Sequence, residues 1–373
     1  MNKYRILHIL PDEKVIDTFI EMLEHIFPNE NLFLIIKPQN NLLHVKTKNN
    51  TIYMSPNSSD FLNFIKDLNT YKEVVLHGIL DCKYFSKIVH PNISWVIWGA
   101  DMYELLLYPR GYKLYFDDER QWKIRAQKYP IWLYKLLCKI RDKKKYDRSR
   151  IMLKKISNFY AIRPDYDLLC NYFPECSNKR VATFSYYPLE KMINSDNMDK
   201  FVSGTSIWVN NCAKQNGNHI EVFEALKKVK LDNSKVYCPL SYGDKRFANY
   251  LIKYGENLFN KDFLPMLDFI PREKYYNYFY DVNSFIYGHL RQCAEGNIMV
   301  SLYVGGKCFL YKKNPLYSYF KELGCEIYSI DDDLTIENLR SPLSAELRLK
   351  NREIVKSISS EINVMKNLKE VFQ

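Results

Sequence analysis

The chain has 373 residues, 47% hydrophobic and 15% aromatic. That composition excludes extended disorder, and the length exceeds one ordinary hydrophobic core. A formal charge of +11 calls for an anionic partner: nucleic acid, anionic lipid and sugar-nucleotide phosphates all qualify.

The nine Cys and seven His are scattered without CxxC or another metal-ligand spacing, so the thiols read as reduced and no metal or cofactor is expected. No apolar run reaches the roughly eighteen residues of a spanning helix, and Lys3 and Arg5 interrupt any signal-peptide pattern. A cytoplasmic protein is expected.

In chain order, residues 4–10 read as a strand and 13–26 as a helix, with Val15, Ile16, Phe19, Ile20 and Leu23 at helical spacing. Residues 32–36 make the next strand, completing a βαβ unit. A helix over 59–68 with Ser58 or Ser59 as N-cap leads to a strand at 73–76 and the turn His77-Gly78. A helix near 82–89 precedes a strand at 93–97, which delivers Trp98-Gly99-Ala100-Asp101-Met102-Tyr103-Glu104. Loops at the carboxyl ends of parallel strands gather ligands, which makes Trp98, Asp101, Tyr103 and Glu104 site candidates. The plain alternative is a tight turn feeding a helix, with Trp98 in the core.

Residues 110–155 concentrate the surplus positive charge and interleave it with Trp122, Tyr129, Trp132 and other apolar groups. That mixture suits a lipid-adjacent surface, and equally a solvated basic helix with one apolar side. Residues 161–165 read as a strand ending in a turn, and 182–186 as another. A linker over 188–200 opens the second half. There, strands are expected at 206–209, 236–240, 264–267, 284–287 and 308–311, with helices at 218–228, 247–254, 272–279 and 298–304. Strands alternating with helices imply parallel sheets.

Two loops of this half carry chemistry. The stretch Asn210-Asn211-Cys212-Ala213-Lys214-Gln215-Asn216-Gly217-Asn218-His219 joins a strand to a helix, and turns backbone N–H groups toward an anion; an N-cap at Asn218 is the bland reading. The run His289-Leu290-Arg291-Gln292-Cys293-Ala294-Glu295-Gly296-Asn297 sets Arg291 beside a helix N-terminus, an arrangement that can neutralise a departing nucleoside diphosphate.

Ile97-Trp98-Gly99-Ala100-Asp101-Met102-Tyr103-Glu104 closely resembles the Ile-Trp-Gly-Ala-Asp-Leu-Tyr-Glu stretch of the bacterial 4-alpha-L-fucosyltransferase family, glycosyltransferase family 56. Arg291, Gln292, Gly296 and Gly306 match that family's Arg-Gln-Gln-Gly-Ile-Gly-Thr and Ala-Gly-Ile-Pro segments. Asn211, Asn218-His219, His77-Gly78, Arg163, Asp165, Pro239, Gly243 and Asn314-Pro315 match as well. Ala294 departs from a glycine, Asn297 from a threonine and Lys307 from a proline.

The resemblance implies a GT-B architecture, α/β, with two Rossmann-like domains whose parallel sheets face an interdomain cleft. An acceptor domain at 1–190, with its basic aromatic segment at 110–155, would precede a nucleotide-sugar domain at 191–355. Beyond the stretch that carries the resemblance, a C-terminal helix at 356–373 is expected to pack back on the first domain. The implied reaction moves a fucose-like or N-acetylated amino-deoxy sugar from a nucleotide diphosphate, dTDP-linked, to a polyprenyl-diphosphate-linked glycan at the inner face of the cell membrane. No metal and no nucleic acid is implied.

Asn210, Asn211, Asn218, His219, Arg291, Gln292, Gly296 and Asn297 would hold the donor, with Asp268, Phe269 and Ile270 near its base and Glu295 on the sugar. Trp98, Tyr103 and Glu104 would meet the acceptor. A general base, if the reaction inverts, comes from Asp101, His8, Asp12 or His77, with Asp101 foremost and an N-cap role its alternative. A soluble acceptor, or a non-catalytic nucleic-acid-binding protein, are the competing readings.

Overall fold

The computed structural model describes residues 4–36, 44–56, 58–78, 85–126, 129–229, 231 and 234–373. The chain divides into two compact units. One contains Met1–Tyr112, Leu133–Tyr187 and Glu361–Gln373, and the other Lys113–Trp132 and Pro188–Ser360. Residues 113–132, assigned from sequence to the first domain, fall in the second unit. The reason is local: Arg120 Nη1 donates to Glu221 at 2.9 Å and Arg125 bonds Gln215.

The first unit is built on seven parallel strands: β1 (Ile6–Pro11), β2 (Asn31–Ile36), β3 (Thr51–Met54), β4 (Glu73–His77), β5 (Ile93–Val96), β6 (Ile156–Tyr160) and β7 (Arg180–Ala182). Their order is β3-β2-β1-β4-β5-β6-β7. The strands of such a sheet are covered on both faces, and so read as unbroken apolar runs. Helix Ile16–Ile26 turns Phe19, Ile20 and Leu23 onto this sheet, and helix Glu361–Phe372 adds Leu368 and Phe372 to the same core. Ser58 caps helix Ser59–Phe64 by accepting from the Phe61 amide at 3.1 Å.

The expected strand at 161–165 is corrected. The strand ends at Tyr160, and Pro164 lies in the first turn of helix Arg163–Tyr172, where a missing N–H is tolerated. The expected helix at 82–89 lies in part outside the described residues; Phe85–Lys87 form one 3-10 turn. The basic aromatic segment contains one long helix, Ile131–Leu153.

The second unit has six parallel strands: β8 (Ser206–Val209), β9 (Val236–Pro239), β10 (Phe263–Met266), β11 (Val282–Tyr287), β12 (Lys307–Leu310) and β13 (Tyr328–Ser329). Their order is β10-β9-β8-β11-β12-β13. Ile207, Val209, Phe223, Leu226, Leu251, Ile286 and Phe309 form its core. Counted within each unit, both sheets follow the order 3-2-1-4-5-6, with one further strand on the first. This is the dinucleotide-fold order, in which the chain reverses direction between the first and fourth strands and ligands bind beyond the carboxyl ends there. That reversal lies between β1 and β4 in the first unit and between β8 and β11 in the second.

Candidate functional site

At the second unit's reversal point, β8 ends in Asn210, held at φ +59°. Asn210 Nδ2 donates to the Gly217 carbonyl at 2.9 Å, and its Oδ1 accepts from the Gly288 amide at 2.8 Å. One side chain thus closes its own loop and ties it to the end of β11. Asn218, at φ +49°, repeats the device: Nδ2 donates to the Gly288 carbonyl at 2.9 Å and to the Leu114 carbonyl at 3.2 Å. A Cβ on Gly288 would lie 2.5 Å from the Gly217 oxygen, so only glycine permits this approach. Both asparagines are therefore loop builders whose amides serve the protein's own backbone.

The frame sets two helix N-termini at this end of the sheet, His219–Val229 and Glu295–Tyr303. Their first-turn N–H groups and positive dipole ends favour an anion. Arg291, 3% exposed, donates from Nη1 to the Gln292 carbonyl at 2.8 Å. Gln292 Nε2 donates to Glu295 Oε2 at 2.9 Å, while burial raises the Glu295 pKa.

Ala294 sits at φ +61°, a conformation glycine adopts freely, which is the physical sense of the family's glycine there. Asn297 fits a local tyrosine pair, accepting from Tyr276 at 3.1 Å and donating to Tyr275 at 2.9 Å. Gly296 has room for a methyl group, since its nearest neighbour would be the Met192 methyl at 3.5 Å. Lys307 is buried and donates to the Asn338 carbonyl at 2.9 Å.

His219 and His289 are both fully buried; the His289 ring nitrogens make no hydrogen bond, and the His219 ring has only the Cys212 backbone near it. Burial first, then the neighbouring His289, lowers the His219 pKa to about 3. Burial, Arg291 and Lys214 lower that of His289 to about 3. Asn211 is half-buried beside Cys212. Asp268, Phe269 and Ile270 follow β10, with Asp268 exposed, Phe269 71% exposed and Ile270 half-buried.

In the first unit the ends of β4 and β5 meet through Gly78 and Trp98. Gly78 has φ +66°, and a Cβ on it would lie 2.6 Å from Trp98 Cγ. Trp98 Nε1 donates to Tyr186 Oη at 2.8 Å, and Tyr186 bonds His77 Nδ1. His77 Nε2 lies 3.1 Å from His8 Nδ1, and His8 Nε2 lies 3.2 Å from Asn31 Oδ1. One set of neutral tautomers satisfies the whole chain, each group donating to the next from Trp98 to Asn31.

Burial lowers the His8 pKa to about 3 and holds His77 well below the ordinary value. Both rings are therefore neutral at physiological pH. Phe19, Phe33 and Phe372 enclose His8.

Asp101 is buried and accepts from Trp95 Nε1 at 2.7 Å, the Trp98 amide at 3.1 Å and the Met102 amide at 3.0 Å. Every one of these bonds organises the loop. Burial raises its pKa to about 6 against the lowering effect of those donors. Tyr103 is buried and donates to Asp165 at 2.7 Å. Glu104 is exposed, on the single π-helical turn Tyr103–Leu107, a feature frequent at functional sites. Asp12 accepts from the His44 and Val45 amides at 3.0 and 2.8 Å.

The structure thus brings together Asn210, Asn218, His219, Arg291, Gln292, Glu295, Gly296 and Asn297 around two adjoining loops of the second unit. It joins His8, His77 and Trp98 in one chain of the first unit, while Tyr103 turns into the core. Tyr186 escaped the sequence reading because its partner His77 lies 109 residues away. His289 stands two residues before Arg291, and only a picture of the reversed sheet makes it notable.

The fold and the loops define a glycosyltransferase of the GT-B type. A Rickettsia africae glycosyltransferase is similar over 100% of this chain and 98% of its own, at 11% identity and a TM-score of 0.60. Sucrose-phosphate synthase from Thermosynechococcus elongatus gives 7% identity, 99% and 98% coverage and a TM-score of 0.61. The Anabaena protein HepE, solved with UDP and glucose, gives 9% identity, 99% coverage of both chains and a TM-score of 0.60.

The chain belongs to the 4-alpha-L-fucosyltransferase family, glycosyl transferase group 56, whose family model matches residues 121–356. It is an enzyme of that class, which sets aside the non-catalytic nucleic-acid-binding reading. Among the described residues, no helix is long and apolar enough to cross a membrane.

Proposed function

We propose that the second unit binds the diphosphate of a dTDP-linked fucose-like or N-acetylated amino-deoxy sugar. The sugar is transferred to a polyprenyl-diphosphate-linked glycan of a surface polysaccharide. The observation that carries the reading is the pair of helix N-termini at the β8–β11 reversal, with Arg291 beside one of them. Paired N-termini stabilise charge that grows on a leaving diphosphate. HepE, of the same fold, was solved with UDP and glucose. Asn211, Gln292, Gly296 and Asn297 line the proposed donor loops; Asp268, Phe269 and Ile270 take the base; Glu295 takes the sugar hydroxyls. The acceptor side falls to Trp98 and Glu104 of the first unit, with Asp101, Tyr103, His8 and His77 shaping it from beneath.

A lipid-borne acceptor is supported by helix Ile131–Leu153. Trp132, Leu136 and Ile140 recur every fourth residue and are 69%, 48% and 50% exposed, so they form one stripe. Exposed Lys139, Lys143 and Lys144 accompany it. An apolar stripe with flanking lysines suits an anionic membrane surface at the inner face of the cell membrane.

A thermal-shift panel of dTDP, UDP and GDP tests the donor assignment. Selective binding to the folded state stabilises by about 2.7 kcal/mol at a hundredfold excess over Kd. A rise of several degrees with dTDP is expected. No rise with any nucleoside diphosphate contradicts the assignment.

A further inference from the structure

We infer that binding of a nucleoside diphosphate to the second unit is coupled to uptake of about one proton by the buried pair His219 and His289. The inference rests on the donor assignment above and adds to the fixed charge of Arg291 a proton that is taken up and released with the nucleotide.

The geometry comes first. His219 opens its helix directly after the loop that follows β8, and His289 is the second residue beyond β11, so the two rings flank the point where the sheet reverses. Both are fully buried; neither ring nitrogen of His289 has a hydrogen-bond partner, and the His219 ring has only the Cys212 backbone near it. Buried imidazole nitrogens without partners are uncommon and ask for an explanation. The surroundings are otherwise well determined. Gly217 packs against the His219 ring, where an added Cβ would lie 2.6 Å from Cε1. Phe223 and Phe247 meet the same ring edge-on. Asn314 Nδ2 holds the His289 carbonyl at 3.1 Å.

The charged and titratable groups facing the pair come from both loops. Lys214 belongs to the loop after β8 and Arg291 to the loop after β11; both face His289, and the two rings face each other. Glu295, farther along, is engaged by Gln292. Burial keeps both rings neutral in the free protein, aided at His289 by Arg291 and Lys214 and at His219 by His289. A diphosphate between the helix N-termini reverses the sign of the cations' field. Each unit of negative charge within about 5 Å, at an effective dielectric near 20, raises a histidine's proton affinity roughly a hundredfold. The gap between a pKa of about 3 and pH 8 is roughly a hundred-thousandfold, and the three charges of a fully ionised nucleoside diphosphate close it. The field acts through space, so no contact between ring and phosphate is required. A proton gained here stabilises the diphosphate as it departs and is released when the nucleotide leaves.

Calorimetric titration of the full chain with dTDP, and with UDP, tests this at about pH 8, where the terminal phosphate is fully ionised. Titrations are run in HEPES and in Tris, buffers of different ionisation enthalpy that bring no phosphate to the site. The observed heat is expected to change with buffer by an amount equal to net uptake of about one proton per nucleotide. In His289→Asn and His219→Asn the uptake falls by half or more, while binding is retained within about tenfold. Nucleotide binding by the unaltered chain with no proton uptake overturns the inference and leaves the donor assignment standing, and so does uptake that persists in both variants. Binding of neither nucleotide overturns the donor assignment itself.

Discussion

Arg291 illustrates what a single side chain contributes here. Its backbone follows β11, its guanidinium is buried, and Nη1 is fixed on the neighbouring Gln292 carbonyl, so it is oriented before any ligand arrives. Preorganised charge costs no rearrangement during the reaction. Arg291→Ala is expected to lower kcat by a hundredfold or more with an unchanged circular dichroism spectrum; near-normal turnover removes Arg291 from the site.

Ala294 offers the opposite case. At φ +61° it carries left-handed strain of about 1 kcal/mol, which glycine lacks. Ala294→Gly is expected to raise stability by up to about 1 kcal/mol in denaturant titration; clear destabilisation contradicts the strain argument. What was legible from sequence at the residue scale was placement, as for Arg291 in the loop before a helix N-terminus; its role is the proposal above. Roles were not legible where tertiary partners decide. Asp101 looked like a base because it is acidic and sits in a distinctive motif, whereas its bonds to Trp95, Trp98 and Met102 depend on how the turn closes.

At the level of elements, the turn after β4 and the turn after β5 are one device. Gly78→Ala would place a Cβ 2.6 Å from the Trp98 ring at φ +66°. A loss of about 2–3 kcal/mol in stability is expected from chemical denaturation, and unchanged stability would mean that the two turns are not packed together. The helix Ile131–Leu153 carries the membrane proposal. Replacing Lys143, Lys144 and Lys145 with Glu is expected to weaken flotation with anionic liposomes severalfold, at about 1 kcal/mol per lysine; unchanged flotation rejects that role.

Strands β1, β2, β4, β5 and β8 through β12 were legible in their apolar runs. Two-residue β13 is too short to show a period, and Thr51–Met54 is half-exposed on an edge. Helix Arg163–Tyr172 was missed because Pro164 was read as ending a strand.

Across the whole molecule, four buried neutral histidines govern the acid limb of stability. His8, His77, His219 and His289 are all held below the ordinary histidine value by burial. Each contributes stability that is complete above about pH 6.5 and lost as pH falls toward the folded value, because the unfolded chain takes up protons first. Asp101, raised to about 6, works the other way: its contribution is complete below the unfolded value and lost as pH rises through 6. Four groups outweigh one. Stability is therefore expected to fall steeply from pH 6.5 toward 4, by several kcal/mol in all. A flat profile across that range, measured by denaturant titration, contradicts the neutral histidines.

The alternation of strand and helix pointed to parallel sheets and the length to more than one core, whereas the shared strand order was not legible in the sequence. Nor was the assignment of residues 113–132 to the second unit, because it hangs on Arg120 reaching Glu221, a pairing 101 residues apart.

Hydrogen exchange read by mass spectrometry, with and without dTDP, tests the donor site most directly. Protection on binding is expected in peptides covering 210–219 and 288–297 and absent from the β4 and β5 turns of the first unit. Protection confined to the first unit, or none at saturating nucleotide, would contradict the account.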